Sequence, residues 1–168
     1  MRTHFIGLIA VLAFLMVPST ASAHCQVPCG IYHDDARIQA MHEDATTIGK
    51  AVTKMVQIIE HQDRCLKSKK CTLKERAKLQ NQLPRWVATK EAHASRVITT
   101  VSEYFLTQKI KPVAAKDPGY SAYLQKLADH HAVMVAAMKT KQNADHGSVK
   151  TLNAAITTMA KHWSQKKK

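Results

Sequence analysis

The chain has 168 residues, enough for one domain with a real hydrophobic core, and its formal charge is +13. A basic surface often signals nucleic acid. The exported character of the amino terminus, read below, excludes that partner and leaves a small anionic substrate or an anionic cell surface.

Met1-Arg2-Thr3-His4 is a short, positively charged start, and Phe5 to Val17 is an apolar run too short to span a bilayer comfortably. Pro18 breaks it, and Ala21-Ser22-Ala23 is a small-residue cleavage site. This is the three-part layout of a secretory signal, so residues 1–23 are expected to be removed, leaving no permanent membrane anchor. Export to the periplasm or the extracellular space follows. The mature chain keeps 145 residues, and loss of Arg2 lowers the charge to +12.

Cleavage makes His24 the first residue of an arm, 24–33, that reads His24-Cys25-Gln26-Val27-Pro28-Cys29 at its start. A free α-amino group has a pKa of about 7.7–8.0 and is readily deprotonated by a metal. The His24 amine and the Cys25 amide nitrogen close a five-membered chelate ring, and the Cys25 thiolate closes a second. Cys29 can add a fourth donor if the chain turns back, as Pro28 and Gly30 allow. Two nitrogens and two thiolates in a plane suit nickel(II) or copper(II), whereas zinc prefers a tetrahedron. The His24 imidazole can sit above the plane. Such strong donors stabilise a higher oxidation state and point to one-electron redox work. The alternative is a Cys25–Cys29 disulfide; the terminal histidine, Pro28 and Gly30 favour the metal.

Residues 34–168 read as an all-α, four-helix bundle. Ile38, Met41, Ala45, Ile48, Val52, Met55 and Ile59 step by three and four along a first helix, with Asp34 or Asp35 as its N-cap. Residues 62–71 read as a basic loop. Cys65 and Cys71 flank its centre and are expected to form a disulfide, with a second metal site as the functional alternative. Thr72-Leu73-Lys74-Glu75 is a capping box that opens a second helix. Pro84 is expected to impose a kink or a fresh first turn. Val87, Ala94, Val97, Ile98, Val101, Tyr104 and Phe105 continue the apolar face to a stop near Lys111-Pro112. Asp117-Pro118-Gly119 leads into a third helix with Tyr120, Leu124, Leu127, His131, Met134 and Met138 on its stripe. Asp145 to Ser148 breaks it. Val149, Leu152, Ile156, Met159 and Trp163 mark the fourth, and Lys166 to Lys168 form a solvated end.

No Glu-x-x-His pairs for a di-iron bundle and no C-x-x-C-H for covalent haem occur. Most histidines beyond His24 read as surface or interface residues, the stripe methionines as packing, and Trp86 and Trp163 as carrying no specific signal.

His24-Cys25-Gln26-Val27-Pro28-Cys29-Gly30-Ile31-Tyr32 resembles the nickel hook of nickel-containing superoxide dismutases, His-Cys-x-x-Pro-Cys-Gly-x-Tyr, at all six fixed positions. Ala36-Arg37-Ile38 and Glu103-Tyr104-Phe105 resemble further family segments. The resemblance implies a homohexamer of four-helix bundles with one nickel ion per subunit. It implies disproportionation of superoxide to oxygen and hydrogen peroxide. Ligands would be His24 through amine and imidazole, Cys25 through amide and thiolate, and Cys29 through thiolate. Tyr32 and Tyr104 would order water and limit access. Gln39 stands where the family often has an acid that holds the axial imidazole. An exported nickel or copper carrier without turnover is the alternative function.

Overall fold

The computed structural model describes residues 31–163. Among them are four α-helices and no strand: α1 (Asp34–Ser68), α2 (Leu73–Thr99), α3 (Tyr120–Gln142) and α4 (His146–Ala160). A π-helical segment, Thr100–Lys109, prolongs α2. Each helix packs on its neighbour in sequence, and α4 closes back on α1. The core between them holds Met41, Ile48, Val97, Phe105, Leu152 and Ile156, all fully buried. The expected four-helix bundle is therefore present.

The helices differ in length, and this shapes the molecule. At about 1.5 Å per residue, α1 is about 50 Å long and α4 about 22 Å. α4 begins where Gly49 and Thr53 of α1 pass: a Cβ on Gly49 would lie 3.4 Å from Val149, and Thr53 Oγ1 is 3.3 Å from His146 Nε2. α3 ends beside Lys90 of α2, whose ammonium donates to the carbonyls of Thr140 and Lys141 and pairs with Glu91. Beyond these points, among the described residues, α1 and α2 continue as a two-helix hairpin. Its small separate core is Ile58, Cys65 and Leu79, with Leu83 and Trp86 packed against it.

A disulfide joins Cys65 to Cys71 across the hairpin tip, with Cα atoms 5.1 Å apart, as expected from the sequence. The loop it was expected to close is shorter than the 62–71 reading. α1 runs on to Ser68, and Lys69 turns the chain in the left-handed region at φ 54°. Nothing in 62–68 breaks a helix; Lys67 pairs with Asp63 one turn back at 2.6 Å, and Cys65 is buried.

The capping box at Thr72 and Glu75 is formed in both directions. The two bonds from Thr72 hold the Glu75 carboxyl below its usual pKa. Pro84 starts no fresh turn: α2 passes through it. Pro84 and Gln80 are both exposed, so the carbonyl that loses its donor can meet water. The helical path ends at Lys109, slightly before Lys111-Pro112, and is π-helical from Thr100: the Ile110 amide reaches back five residues to Phe105.

Other sequence expectations shift by one position. The α1 stripe slips from Ile59, 52 % exposed, to Ile58, 8 % exposed. A strict 3.5-residue repeat drifts about 20° per heptad against a 3.6-residue helix, and three heptads accumulate enough drift to exchange neighbours. On α2, Lys90 is buried and Val87 is not. On α3, the buried face is His130, Val133, Ala136, Ala137 and Thr140, while Leu124, His131 and Met138 are exposed. Small residues at 136 and 137 let α3 approach its neighbours closely, and hydrogen bonds make His130 and Thr140 acceptable inside. The α4 stripe is as expected, under an Asp145 N-cap that accepts from the Ser148 amide at 2.8 Å.

No helix among the described residues is long and apolar enough to cross a membrane.

Candidate metal centre

The donor residues expected from the sequence, His24, Cys25 and Cys29, lie outside the described residues, as does Lys166 to Lys168. What the structure describes is the platform on which the hook's last residues enter α1. His33 is the N-cap of that helix, and its side chain makes no cap bond. Neither Asp34 nor Asp35 is the cap expected from the sequence; both lie in the first turn, where negative charge meets the positive end of the helix.

Asp34 instead ties the entry of α1 to the π-helical segment. The Tyr104 hydroxyl donates to Asp34 Oδ1 at 2.7 Å and lies 3.0 Å from the Tyr32 carbonyl. The Lys109 ammonium donates to the same Asp34 oxygen at 3.0 Å. Lys109 and Tyr104 lie five apart, one π-turn, so the segment presents both to one carboxylate. Such π-turns are rare and cluster at functional sites. The two tyrosines named from the sequence are brought together here: their ring centroids are 6.3 Å apart, and Tyr32 is exposed while Tyr104 is buried.

Arg37, one turn into α1, lays its guanidinium over the Tyr32 ring, 3.9 Å from the centroid. Its Nε is buried and has no hydrogen-bond partner among the described residues. A buried, unsatisfied N–H is uncommon in a folded protein and marks this platform. Gln39 is exposed and donates to Glu43 within its own helix at 3.2 Å. Asp34, Arg37 and Lys109 are neighbours of Tyr32 and Tyr104 that sequence reasoning did not assign to the site. Only the π-helical register and the turn of Tyr32 toward Arg37 unite them.

Behind Tyr104 the aromatic packing continues inward. Phe105 meets Tyr104 edge-on at 5.0 Å and contacts Trp163 at 4.9 Å and His130 at 5.6 Å. Trp163, which carried no signal in the sequence, donates from Nε1 to His130 Nε2 at 3.0 Å. An indole only donates, so Nε2 is bare and Nδ1 carries the proton, given to the Lys126 carbonyl at 2.6 Å. His130 is thus a buried neutral imidazole, not a surface histidine, and burial pushes its pKa down. Beside it His162 donates to Asp129 at 2.6 Å, and this bond lowers the Asp129 pKa.

A pH dependence follows. An unfolded histidine takes up a proton near pH 6.5, whereas folded His130 resists protonation. Its contribution to stability is complete above that pH and is lost as pH falls toward the lower folded value, by at most about 1.4 kcal/mol per pH unit. Asp129, also lowered, acts in the same direction at more acid pH. Denaturant unfolding between pH 7.5 and 5 reads the slope, and ring NMR should find His130 titrating below the ordinary histidine value. A His130 ring in the folded chain that titrates at or above that value would contradict the assignment.

These features define a class: an all-α bundle with a platform of tyrosines, one carboxylate and two cations where the chain enters α1. The model of the nickel-containing superoxide dismutase family matches residues 19–167, and the chain belongs to that family. No curated protein and no solved structure matches it. Its activity is accordingly the dismutation of superoxide at a nickel cofactor. Nothing observed supports the carrier reading.

Proposed function

We propose that the chain is exported, is cut after Ala23, and holds one nickel ion per subunit at the new terminus through His24, Cys25 and Cys29. Amine, amide, imidazole and two thiolates form a donor set suited to nickel, and a platform with an unsatisfied donor, Arg37 Nε, lies where the hook meets α1. When bound, nickel supplies the one-electron redox chemistry by which two superoxide ions become oxygen and peroxide.

The chain's own residues would do the rest. The observation that carries this reading is the pinned Tyr104 hydroxyl, held between Asp34 and the Tyr32 carbonyl. A phenol fixed in this way narrows the approach. Tyr32, stacked under Arg37, does the same from the hook side. Lys109 balances the charge of Asp34, and together with Arg37 it makes the approach positive for an anionic substrate.

The homohexamer finds its support on the projecting hairpin. Val56, Ile59, Leu66, Leu73 and Val87 are exposed there, apolar area that subunit contacts would cover.

The test is to purify the processed chain, read its first residue by mass, and measure nickel content, mass in solution and superoxide loss. A first residue other than His24 would remove the site. Tyr104→Phe is expected to keep full nickel content and to slow turnover by about tenfold. It should also lose about 1–2 kcal/mol of stability with the charge-assisted bond to Asp34. Unchanged turnover in that variant would remove Tyr104 from the access site.

A further inference from the structure

We propose that His61, Cys65 and Cys71 form a second metal site, selective for a thiophilic cation such as zinc(II), which becomes available when the hairpin-tip disulfide is reduced.

One ligating atom from each of the three residues lies within 4.8 Å of the other two. Tetrahedral bonds of about 2.0 Å to nitrogen and 2.3 Å to sulfur need donors about 3.5–3.8 Å apart. Parting the two sulfurs to that separation requires only side-chain rotation about Cα atoms already 5.1 Å apart. His61 and Cys65 are four apart on α1 and so share a face. Cys71 arrives from the other side, directly before the Thr72 N-cap. Cys65 is buried while His61 and Cys71 are half-buried, which leaves a fourth position for water.

A disulfide alone needs no imidazole beside it. The His61 ring has no hydrogen-bond partner among the described residues, and the only described influence on it is electrostatic, from Glu75. Lys69 and Arg76 line a depression of about 250 Å³ beside the two cysteines. They would repel a bare cation, but two thiolates cancel the charge of zinc(II), and the N-terminus of α2 adds positive potential that favours thiolates. The site is separate from the hook: His61 lies 27 residues along α1 from Asp34, about 40 Å at 1.5 Å per residue.

The redox step balances with a small-molecule thiol as reductant. Two thiols give two electrons and two protons to the disulfide and become a disulfide themselves. The freed Cys65 and Cys71 thiols then bind zinc(II) and release two protons to solvent. The hairpin tip so exchanges one cross-link for another.

The experiment uses the mature chain carrying Cys25→Ser and Cys29→Ser, so that the hook thiolates cannot compete, reduced with a phosphine and titrated with zinc(II) by calorimetry. The expected result is one zinc(II) per reduced chain and none on the oxidised chain. His61→Ala should weaken zinc by about tenfold or more while circular dichroism stays unchanged. A reduced chain that binds no zinc, equal binding to the oxidised chain, or binding indifferent to His61→Ala would each overturn the proposal.

Discussion

A chain that keeps Ala23 in front of His24 is expected to hold nickel weakly and to dismutate superoxide at least about a hundredfold more slowly than the processed chain. Losing a residue that merely supports a ligand already costs about 10- to 100-fold, and this change removes a ligand itself. With Ala23 present, the nitrogen of His24 is a peptide amide, which surrenders its proton far less readily than an amine with a pKa of about 7.7–8.0. The new amine lies one residue too early to close a five-membered ring with the Cys25 amide. Every side chain is unchanged, so a deficit can only come from the terminus. Nickel content by elemental analysis and superoxide loss by direct spectroscopy give the answer. Full nickel and full turnover in the extended chain would sink the hook assignment. His24→Ala is the complementary case: it retains the amine, loses the imidazole, and is expected to keep more nickel than the extended chain.

Phe105→Ala is expected to produce the largest loss of stability of any single substitution behind the site. Phe105 is fully buried and its ring contacts Tyr104, Trp163 and His130. Truncating a buried phenylalanine costs about 3–5 kcal/mol, because the cavity collapses only in part. In a domain of this size each kcal/mol is worth about 2–4 °C, so the melting temperature should fall by about 10 °C. The damage should also spread in a particular direction. Trp163 loses the ring it packs against, and its N–H is what keeps His130 Nε2 satisfied. Calorimetry measures the first effect, and the His130 ring resonances measure the second. A loss below about 1 kcal/mol would mean that the aromatic cluster is not the packed unit described.

Much of the molecule was legible because it depends on local chemistry. Thr72 and Glu75 announce a capping box by spacing alone, and the box is formed. The α4 stripe of Val149, Leu152, Ile156 and Met159 is short, so drift between heptad and helix has no room to build. Cys65 and Cys71 are close enough in sequence that a turn between helices brings them together. Tyr32 and Tyr104 could be named only through resemblance, since 72 residues separate them.

Polar burial was not legible. Lys90 is buried because the end of α3 offers it two carbonyls, and His130 because Trp163 and the Lys126 carbonyl satisfy both its nitrogens. Asp44 is buried because His93 and Arg96 reach it from α2. A hydropathy stripe scores all three as outward-facing. It therefore rotated the α3 face onto Leu124, His131 and Met138.

The sequence by itself determined the helices and most of their ends, since these follow from covalent order and from contacts within a few residues. Only the tertiary structure decided which carboxylate holds Tyr104, which cation stacks on Tyr32, and which histidine stands beside the disulfide. The first depends on the register between α1 and the π-helical continuation of α2. That register is set by how their side chains fill shared space and satisfy one another's polar groups, a property no single segment carries.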